Sequence, residues 1–265
     1  IKTITPPDTL ENRGKRWNES ILEAINARTR VVSMANVHWA DGTRFDLLTI
    51  RQKTLEVDAL LVLDGTQSVG ALPFDVQQIQ PDALICAAYK WLLGPYSIGL
   101  AYYGEYFDQG KPIEESWMNR LDSENFANLV NYQDAYQPGA LRYEVGEHSN
   151  FILIPMLAAA IEQLNAWGVD NIQAYCRQLT DPFVAQLRNL GCWVEEDDYR
   201  GTHLFGVRLP EGVNAGEVKN IFAEQKVFVS VRGNAVRIAT HLYNDANDWQ
   251  KLVSCFEQVL SSRVV

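Results

Sequence analysis

The chain has 265 residues, of which 47% are hydrophobic and 21% are charged. These proportions are typical of globular proteins and exclude disordered, collagen-like and disulfide-scaffold chains. The 33 acidic residues outnumber the 23 basic ones, and the net charge of −10 disfavours a nucleic-acid partner. No apolar run approaches the length of about 18 residues that a membrane span needs, so we expect none.

The four cysteines, Cys86, Cys176, Cys192 and Cys255, are far apart and form no Cys-x-x-Cys pair. They indicate buried free thiols in a reducing compartment, so we expect a cytoplasmic protein without a metal site. The amino-terminal residues show no secretory signal pattern. The chain begins with Ile1 rather than methionine, so we expect it to be a processed chain or a piece of a longer one.

Helical and strand patterns alternate in the first part of the chain. The apolar spacing of Trp17, Ile21, Leu22 and Ile25 predicts an amphipathic helix, and residues 46–56 predict a second one. Residues 31–34 predict a short buried strand, and continuous apolar runs predict buried strands at 59–63 and 83–88. This alternation predicts an α/β fold with a largely parallel sheet.

The pattern changes after about residue 150. Two long helices are predicted at 152–167 and 172–190, each closed by a glycine, and shorter elements follow. These are strands at 203–209, 227–231 and 236–239 and helices at 215–225 and 246–261. We therefore expect a larger domain in residues 1–154 and a smaller carboxyl-terminal α+β domain in residues 155–265.

Two chemically informative residues follow buried strands. Asp64 ends one apolar run in an Asp-Gly-Thr-Gln sequence, and open α/β sheets bind ligands at this end of their strands. Lys90 follows the next run, 26 residues later, in Tyr-Lys-Trp-Leu-Leu-Gly-Pro. Asp64 could instead cap the next helix, and Lys90 could extend its ammonium into water. A lysine amine in this position could also form a Schiff base with a carbonyl.

These motifs resemble the cofactor site of class V aminotransferases, which are fold-type-I enzymes that use pyridoxal 5′-phosphate (PLP). The resemblance continues through the motifs that start at Asn36, Arg142 and Val236, and so covers the whole chain in order. It implies that Lys90 forms a Schiff base with PLP and moves the α-proton of an amino acid. It also implies that Asp64 keeps the pyridine nitrogen protonated, that Gln67 binds the phenolic oxygen and that Asn36 lines the pocket.

The resemblance assigns the substrate's α-carboxylate to Arg237, assisted by Arg232, with His38 and Trp39 in the same pocket. A homodimer is expected, because sites of this type are built from two subunits. The aromatic-rich stretch 117–143 is a candidate for the dimer face or for an active-site loop, although ordinary core packing would also explain it.

Several positions depart from the family pattern. Where many relatives have serine and histidine as phosphate ligands, this chain has Ala87 and Tyr89, of which only Tyr89 could bind phosphate through its hydroxyl. A family threonine is replaced by Glu147, and Ser149 is a possible substitute. In relatives, roughly a hundred residues with the phosphate cradle precede the stretch that matches Ile1. The chain is therefore interpreted as the carboxyl-terminal two-thirds of such an enzyme.

The motif around His38 and the Tyr-Lys-Trp-Leu-Leu-Gly-Pro segment look most like the isopenicillin N epimerase-like branch of the family. A cysteine desulfurase is expected to be improbable, because the short segment 229–236 before Arg237 contains no cysteine. Transamination, epimerisation and elimination at Cα stay open. The alternatives are a truncated, non-enzymatic paralogue and a Rossmann-type oxidoreductase. The chain has no Gly-x-Gly-x-x-Gly turn, which counts against the oxidoreductase.

Overall fold

The computed structural model describes residues 1–145, 148, 150–213 and 215–261. Within them the helices are α1 (Arg13–Ala24), α2 (Leu47–Glu56), α3 (Val76–Ile79), α4 (Leu153–Trp167), α5 (Val169–Asn189), α6 (Ala215–Glu224) and α7 (Ala246–Ser261). The strands are β1 (Val31–Ala35), β2 (Leu60–Asp64), β3 (Ala83–Ala87), β4 (Gly99–Tyr103), β5 (Trp193–Val194), β6 (Leu204–Arg208), β7 (Ser230–Arg232) and β8 (Ala235–Ala239). They form two four-stranded sheets.

The first sheet has the order β1-β2-β3-β4. Strands β1, β2 and β3 are parallel, as the alternating pattern predicts, and β4 is antiparallel to β3. No strand is predicted from the sequence at β4, and four of its five residues are exposed. The prediction that the strand at 31–34 is buried is wrong, since no residue of β1 is buried. The α/β fold with a mainly parallel sheet is confirmed.

The second sheet has the order β5-β6-β8-β7 and is antiparallel throughout. Strand β7 begins three residues later than the predicted strand at 227–231, since residues 227–229 form the connection from α6. This connection starts at Lys226, whose φ of 55° ends the helical conformation. The division of the chain at residue 154 into two domains stays a prediction.

Each sheet has its own hydrophobic core. One core surrounds Leu61 and Leu63 of β2, and the other contains Phe205 of β6 together with Phe256 of α7. A third cluster joins the segment after β3 to helices α4 and α5. Its buried members are Cys86, Ala88, Leu92, Leu157, Leu164, Ile172 and Cys176. This cluster anchors the backbone on both sides of Lys90.

The four cysteines are buried and free, as expected. Burial raises the pKa of the Cys176 and Cys192 thiols to about 11. In the described part of the chain, no helix combines the length and the apolar character needed to cross a membrane.

The aromatic-rich stretch lies in an irregular connection between β4 and α4. Trp117, Phe126 and Tyr132 are exposed there, with 96% of the Tyr132 side chain accessible. Tyr136 and Tyr143 are half-buried, and Tyr143 contacts the ring of Tyr103 in β4. Core packing therefore does not explain the exposed members of this stretch.

Candidate active site

Three parallel strands bring the predicted cofactor residues to one edge of the first sheet. Asn36 follows the last residue of β1, Asp64 is the last residue of β2, and Lys90 lies three residues beyond the end of β3. Carboxyl ends of parallel strands lie side by side, which is where open α/β sheets bind ligands. The backbone N–H of Asn36 donates to the Asp64 carbonyl oxygen at 3.3 Å, so the first two strand ends are in direct contact.

Asp64 has both a structural contact and an accessible carboxylate. Its Oδ1 accepts a hydrogen bond from the Thr66 backbone N–H at 2.8 Å, which stabilises the turn after β2. The hydroxyl oxygen of Thr66 in turn accepts from the Ala87 backbone N–H at 3.1 Å and links this turn to the end of β3. The Asp64 residue is exposed, so the capping contact leaves its carboxylate open to a ligand.

Lys90 is half-buried, and its ammonium lies over the Tyr89 ring, 5.5 Å from the ring centroid. Burial lowers the pKa of the Lys90 amine, and the charge of Arg237 lowers it further, while the Asp64 carboxylate opposes both. A lowered pKa favours the neutral, nucleophilic amine. The structure therefore brings Lys90, Asp64 and Arg237 into electrostatic contact, although Arg237 belongs to the second sheet.

Tyr89 is exposed and stacks on Tyr96, with 4.5 Å between ring centroids and 12° between ring planes. This pair flanks Lys90 at the position where the sequence departs from the family pattern. Ser149, the other expected phosphate ligand, lies outside the described residues.

Gln67 and Asn36 are both buried at the edge of this site. The side-chain oxygen of Gln67 accepts a hydrogen bond from the Trp91 indole at 3.2 Å. The carbonyl oxygen of Asn36 accepts from the Phe45 backbone N–H at 3.1 Å, which fixes the segment after β1.

Arg237 occupies the centre of β8, where it pairs with Gly206 of β6 and Ser230 of β7. Its Nη1 donates to the Trp39 carbonyl oxygen at 2.8 Å. Within the described residues Arg237 forms no ion pair, and its pKa is lowered by burial and by the neighbouring charge of Arg232. A half-buried guanidinium without an acidic partner is suited to bind a carboxylate ligand.

The other predicted substrate residues separate into two groups. The Arg232 guanidinium lies over the exposed Trp39 ring at 5.8 Å, next to Arg237. His38 contacts Trp17, at 4.9 Å between ring centroids, and its Nδ1 donates a hydrogen bond to Asp41 Oδ1 at 2.8 Å. Trp39 and Arg232 thus lie near Arg237, whereas the hydrogen bond of His38 is to Asp41, and the His38 and Trp39 rings are 6.1 Å apart between centroids.

A buried charge network holds the turn that carries His38 and Trp39. Asp41 pairs with Arg13 at 2.8 Å and with Arg208 of β6 at 3.4 Å. Burial raises the pKa of Asp41, but the hydrogen bond from His38 and the charge of Arg13 outweigh it and hold that pKa well below its usual range. The network ties α1 and the turn after β1 to the second sheet.

Three polar residues next to the site were not predicted from the sequence, namely Trp91, Gln173 and His203. Trp91 and His203 both bond to Gln67, and Gln173 bonds to His203. The signal in the sequence is weak, because a tryptophan in Trp-Leu-Leu and a histidine in a predicted strand are both explained by core packing. No group of three or more His, Cys, Asp or Glu side chains within the described residues could hold a metal ion.

Comparison with known proteins shows the family to which the chain belongs. The family model "Aminotransferase class-V" matches residues 3–252. The uncharacterized aminotransferase YcbU of Bacillus subtilis (strain 168) is 26% identical over 86% of this chain and 59% of its own length. A probable cysteine desulfurase of Methanothermobacter thermautotrophicus (strain Delta H) is 25% identical over 90% of this chain and 62% of its own. The chain thus spans about three fifths of the length of these relatives.

Among solved structures, a variant of C-DES with glycine covalently linked to its PLP cofactor has a TM-score of 0.78. It is 17% identical, with 90% of this chain and 63% of that chain covered. This similarity confirms the expected fold type I of PLP-dependent enzymes.

The expectation that a cysteine desulfurase is improbable is wrong. The probable cysteine desulfurase above matches almost the whole chain, and others match at similarly low identity. The sequence argument rested on one absent cysteine before Arg237. A single absent cysteine is weaker evidence than a match over 90% of the chain.

The family indicates pyridoxal 5′-phosphate as the cofactor. The described residues fit its ring, since they offer an amine of lowered pKa, an exposed carboxylate and a buried amide at one strand edge. Lys90, Asp64 and Gln67 would hold the aldehyde carbon, the pyridine nitrogen and the phenolic oxygen respectively. For the phosphate, the Tyr89 hydroxyl is the donor next to Lys90.

Proposed function

Because the chain belongs to the class V aminotransferase family, we propose that it acts at the Cα of an amino-acid substrate with PLP bound to Lys90. The single observation that carries the proposal is that Asp64 and Lys90 lie at the adjacent ends of β2 and β3, where the charge of Arg237 also acts on the Lys90 amine. This arrangement combines, from two sheets, a nucleophilic amine, an acid for the pyridine nitrogen and a cation for the substrate's carboxylate.

When bound, the cofactor supplies the electron-withdrawing ring that makes the proton at Cα acidic. Lys90 would hold the cofactor through its Nζ, and as a neutral amine this Nζ would accept the proton from the substrate's Cα. Its lowered pKa suits this role, since a base must be unprotonated at the working pH. Asp64 keeps the ring nitrogen protonated through its negative charge.

Arg237 orients the substrate by binding its α-carboxylate. Its Nη1 is already fixed on the Trp39 carbonyl oxygen, which leaves the other N–H groups for a ligand. Arg232 adds positive charge from the exposed side of Trp39. We place His38 in the same pocket, because it lies one residue before Trp39. Asn36, Tyr89 and Ser149 remain the proposed cofactor contacts.

The proposal extends to the finer classification. The motifs at His38 and Lys90 support the isopenicillin N epimerase-like branch, and the reaction itself stays open between transamination, epimerisation and elimination. The four buried free thiols favour a reducing compartment, so we propose a cytoplasmic location. The larger domain would comprise residues 1–154 and the smaller one residues 155–265.

We further propose a homodimer whose face includes the exposed aromatic side chains of Trp117, Phe126 and Tyr132. Large exposed apolar patches mark interaction surfaces. Sedimentation velocity of the chain and of a Trp117→Ser, Phe126→Ser variant tests this: the chain should sediment as a dimer and the variant as a monomer. Identical sedimentation of the two would contradict this face.

Reduction with borohydride after addition of PLP tests the role of Lys90. Mass spectrometry should locate the pyridoxyl group on Lys90, and the visible absorbance band should be absent in Lys90→Ala. Lys111→Ala, at an exposed lysine, should keep the band. An adduct on another lysine would contradict the assignment.

Exchange of the Cα hydrogen of amino acids with deuterium from the solvent tests the activity without assuming a reaction outcome. The PLP-loaded chain should exchange this hydrogen of at least one amino acid, and Lys90→Ala should not. Cofactor binding without any exchange would favour the alternative, a non-enzymatic paralogue of the same fold.

A further inference from the structure

The side-chain amide of Gln67 has a defined orientation. Its Oε1 accepts a hydrogen bond from Trp91 Nε1, and an indole N–H can only donate. The Gln67 Nε2 hydrogens must therefore face away from Trp91. Within the described residues this Nε2 makes no hydrogen bond, so the amide presents two unused donors.

The backbone of Gln67 is held from the other side by His203. The fully buried His203 ring places its Nε2 2.8 Å from the Gln67 carbonyl oxygen. Since a carbonyl oxygen can only accept, Nε2 carries the hydrogen. Burial lowers the pKa of His203 to about 4, so the ring is neutral and its Nδ1 is an acceptor.

Gln173 of α5 completes the network. Its Nε2 lies 3.0 Å from His203 Nδ1 and also donates to the Ala71 carbonyl oxygen at 2.6 Å. Its Oε1 accepts from the Thr202 hydroxyl at 2.8 Å. The donors of His203, Gln173 and Thr202 thus each meet an acceptor, which fixes the tautomer of His203.

The same network packs Trp91 against His203. The two rings meet edge to face, with 4.7 Å between centroids and 87° between planes. Trp91 thus contacts Gln67 through its N–H and His203 through its ring. The turn that carries Gln67 is held at both its side chain and its main chain by residues from three separate segments.

We propose that Trp91 and His203 are positioning residues that fix Gln67 with its amide hydrogens directed at the phenolic oxygen of the cofactor. The inference rests on the proposed role of Gln67 in PLP binding. A flipped amide would present its oxygen to that negatively charged oxygen and repel it. Trp91 excludes the flip because its indole would lose its acceptor and meet a second donor.

The orientation of the Gln67 amide can be measured through the pH at which the bound cofactor loses its visible absorbance band. A donor at the phenolic oxygen stabilises its negative charge, most strongly when the Schiff-base nitrogen has lost its proton, so the donor lowers the pKa of that nitrogen. Trp91→Phe keeps the ring and removes the N–H. The midpoint should then move up by about one pH unit, as for the loss of a hydrogen bond to a charged group.

A double-mutant cycle separates positioning from general structural effects. If Trp91 acts through Gln67, Trp91→Phe should shift the midpoint in the wild-type background and leave it unchanged in the Gln67→Leu background. Trp167→Phe, at a tryptophan outside the network, is the matched control and should leave the midpoint unchanged. Equal shifts by Trp91→Phe in both backgrounds would overturn the proposal.

An NMR measurement on the cofactor-free chain tests the network without PLP. The indole N–H signal of Trp91 should move and exchange faster with solvent in Gln67→Leu, and the His203 nitrogens should show the Nε2–H tautomer. An unchanged indole signal would overturn the proposal even if PLP binds. Failure of the wild-type chain to show a visible band with PLP would instead overturn the proposed function.

Discussion

Arg237 and Trp39 are 198 positions apart in the chain, yet the guanidinium of the first donates a hydrogen bond to the carbonyl oxygen of the second at 2.8 Å. Arg237 belongs to β8 of the second sheet, and Trp39 lies in the turn after β1 of the first. This contact sets the position of the proposed carboxylate receptor relative to Lys90. Four predictions follow from the charges around it.

Replacing Arg237 with lysine should weaken the binding of amino acids by about 1.5–3 kcal/mol, because the positive charge is kept and the two-pronged hydrogen bonding is lost. An amine that matches the substrate but lacks the carboxylate should lose little affinity. Titration of the PLP-loaded protein with both ligands, followed by absorbance, measures the difference. Equal losses for the two ligands would mean that Arg237 has a structural role.

The pKa of Lys90 should respond in opposite directions to its two charged neighbours. Arg237→Gln removes a cation and should raise this pKa, whereas Asp64→Asn removes an anion and should lower it. The pH dependence of trinitrophenylation at Lys90 in the cofactor-free protein, read by mass spectrometry, gives both values. Arg232→Gln is the comparison variant, since Arg232 is not among the charges that act on Lys90. If Arg237→Gln and Asp64→Asn shifted the pKa of Lys90 in the same direction, the described arrangement of these charges would be refuted.

His203 should make the protein less stable in acid. Its pKa is about 4 in the folded chain against 6.5 as the ordinary value, so between these values the unfolded chain binds a proton that the folded chain does not. Stability therefore rises with pH through this window, and about 2 kcal/mol should be lost between roughly pH 7 and pH 5. Urea denaturation of wild type and of His203→Gln, which keeps a donor for the Gln67 carbonyl, should show a shallower pH dependence in the variant. Parallel curves would indicate that His203 is protonated in the folded chain.

Asp41 should be the most sensitive acidic residue for stability. Asp41→Asn leaves Arg13 and Arg208 without their shared carboxylate in a buried site, which should lower the free energy of unfolding by about 3–5 kcal/mol. Glu56→Gln, which breaks the exposed ion pair with Lys53, is the control and should cost at most about 1 kcal/mol. Urea unfolding curves give both values, and a similar small cost at the two positions would show that the buried network does not hold the turn after β1.

The sequence determined the local elements and the identity of the central residues. Apolar residues produced β1, β2 and β3 close to their predicted bounds. The signal did not report burial, since β2 and β3 each contain buried residues whereas none of the residues of β1 is buried. Asp64 and Lys90 followed from the same logic, since parallel strands place their ends together. Strand β4 gave no such signal, because four of its five residues are exposed and its formation depends on pairing with β3.

Only the tertiary structure decided which distant residues meet at the site. Gln67 and His203 are 136 positions apart, and no periodicity along the chain relates them. The packing of α5 and β6 against the first sheet brings them together, and burial then fixes the neutral histidine. His38 shows that neighbours in sequence can have different partners: its ring is 6.1 Å from the Trp39 ring between centroids, but it is hydrogen-bonded to Asp41 and packs on Trp17. Sequence spacing determines where a residue lies on its own helix or strand. The partners of its side chain depend on helices and strands that are distant in the sequence.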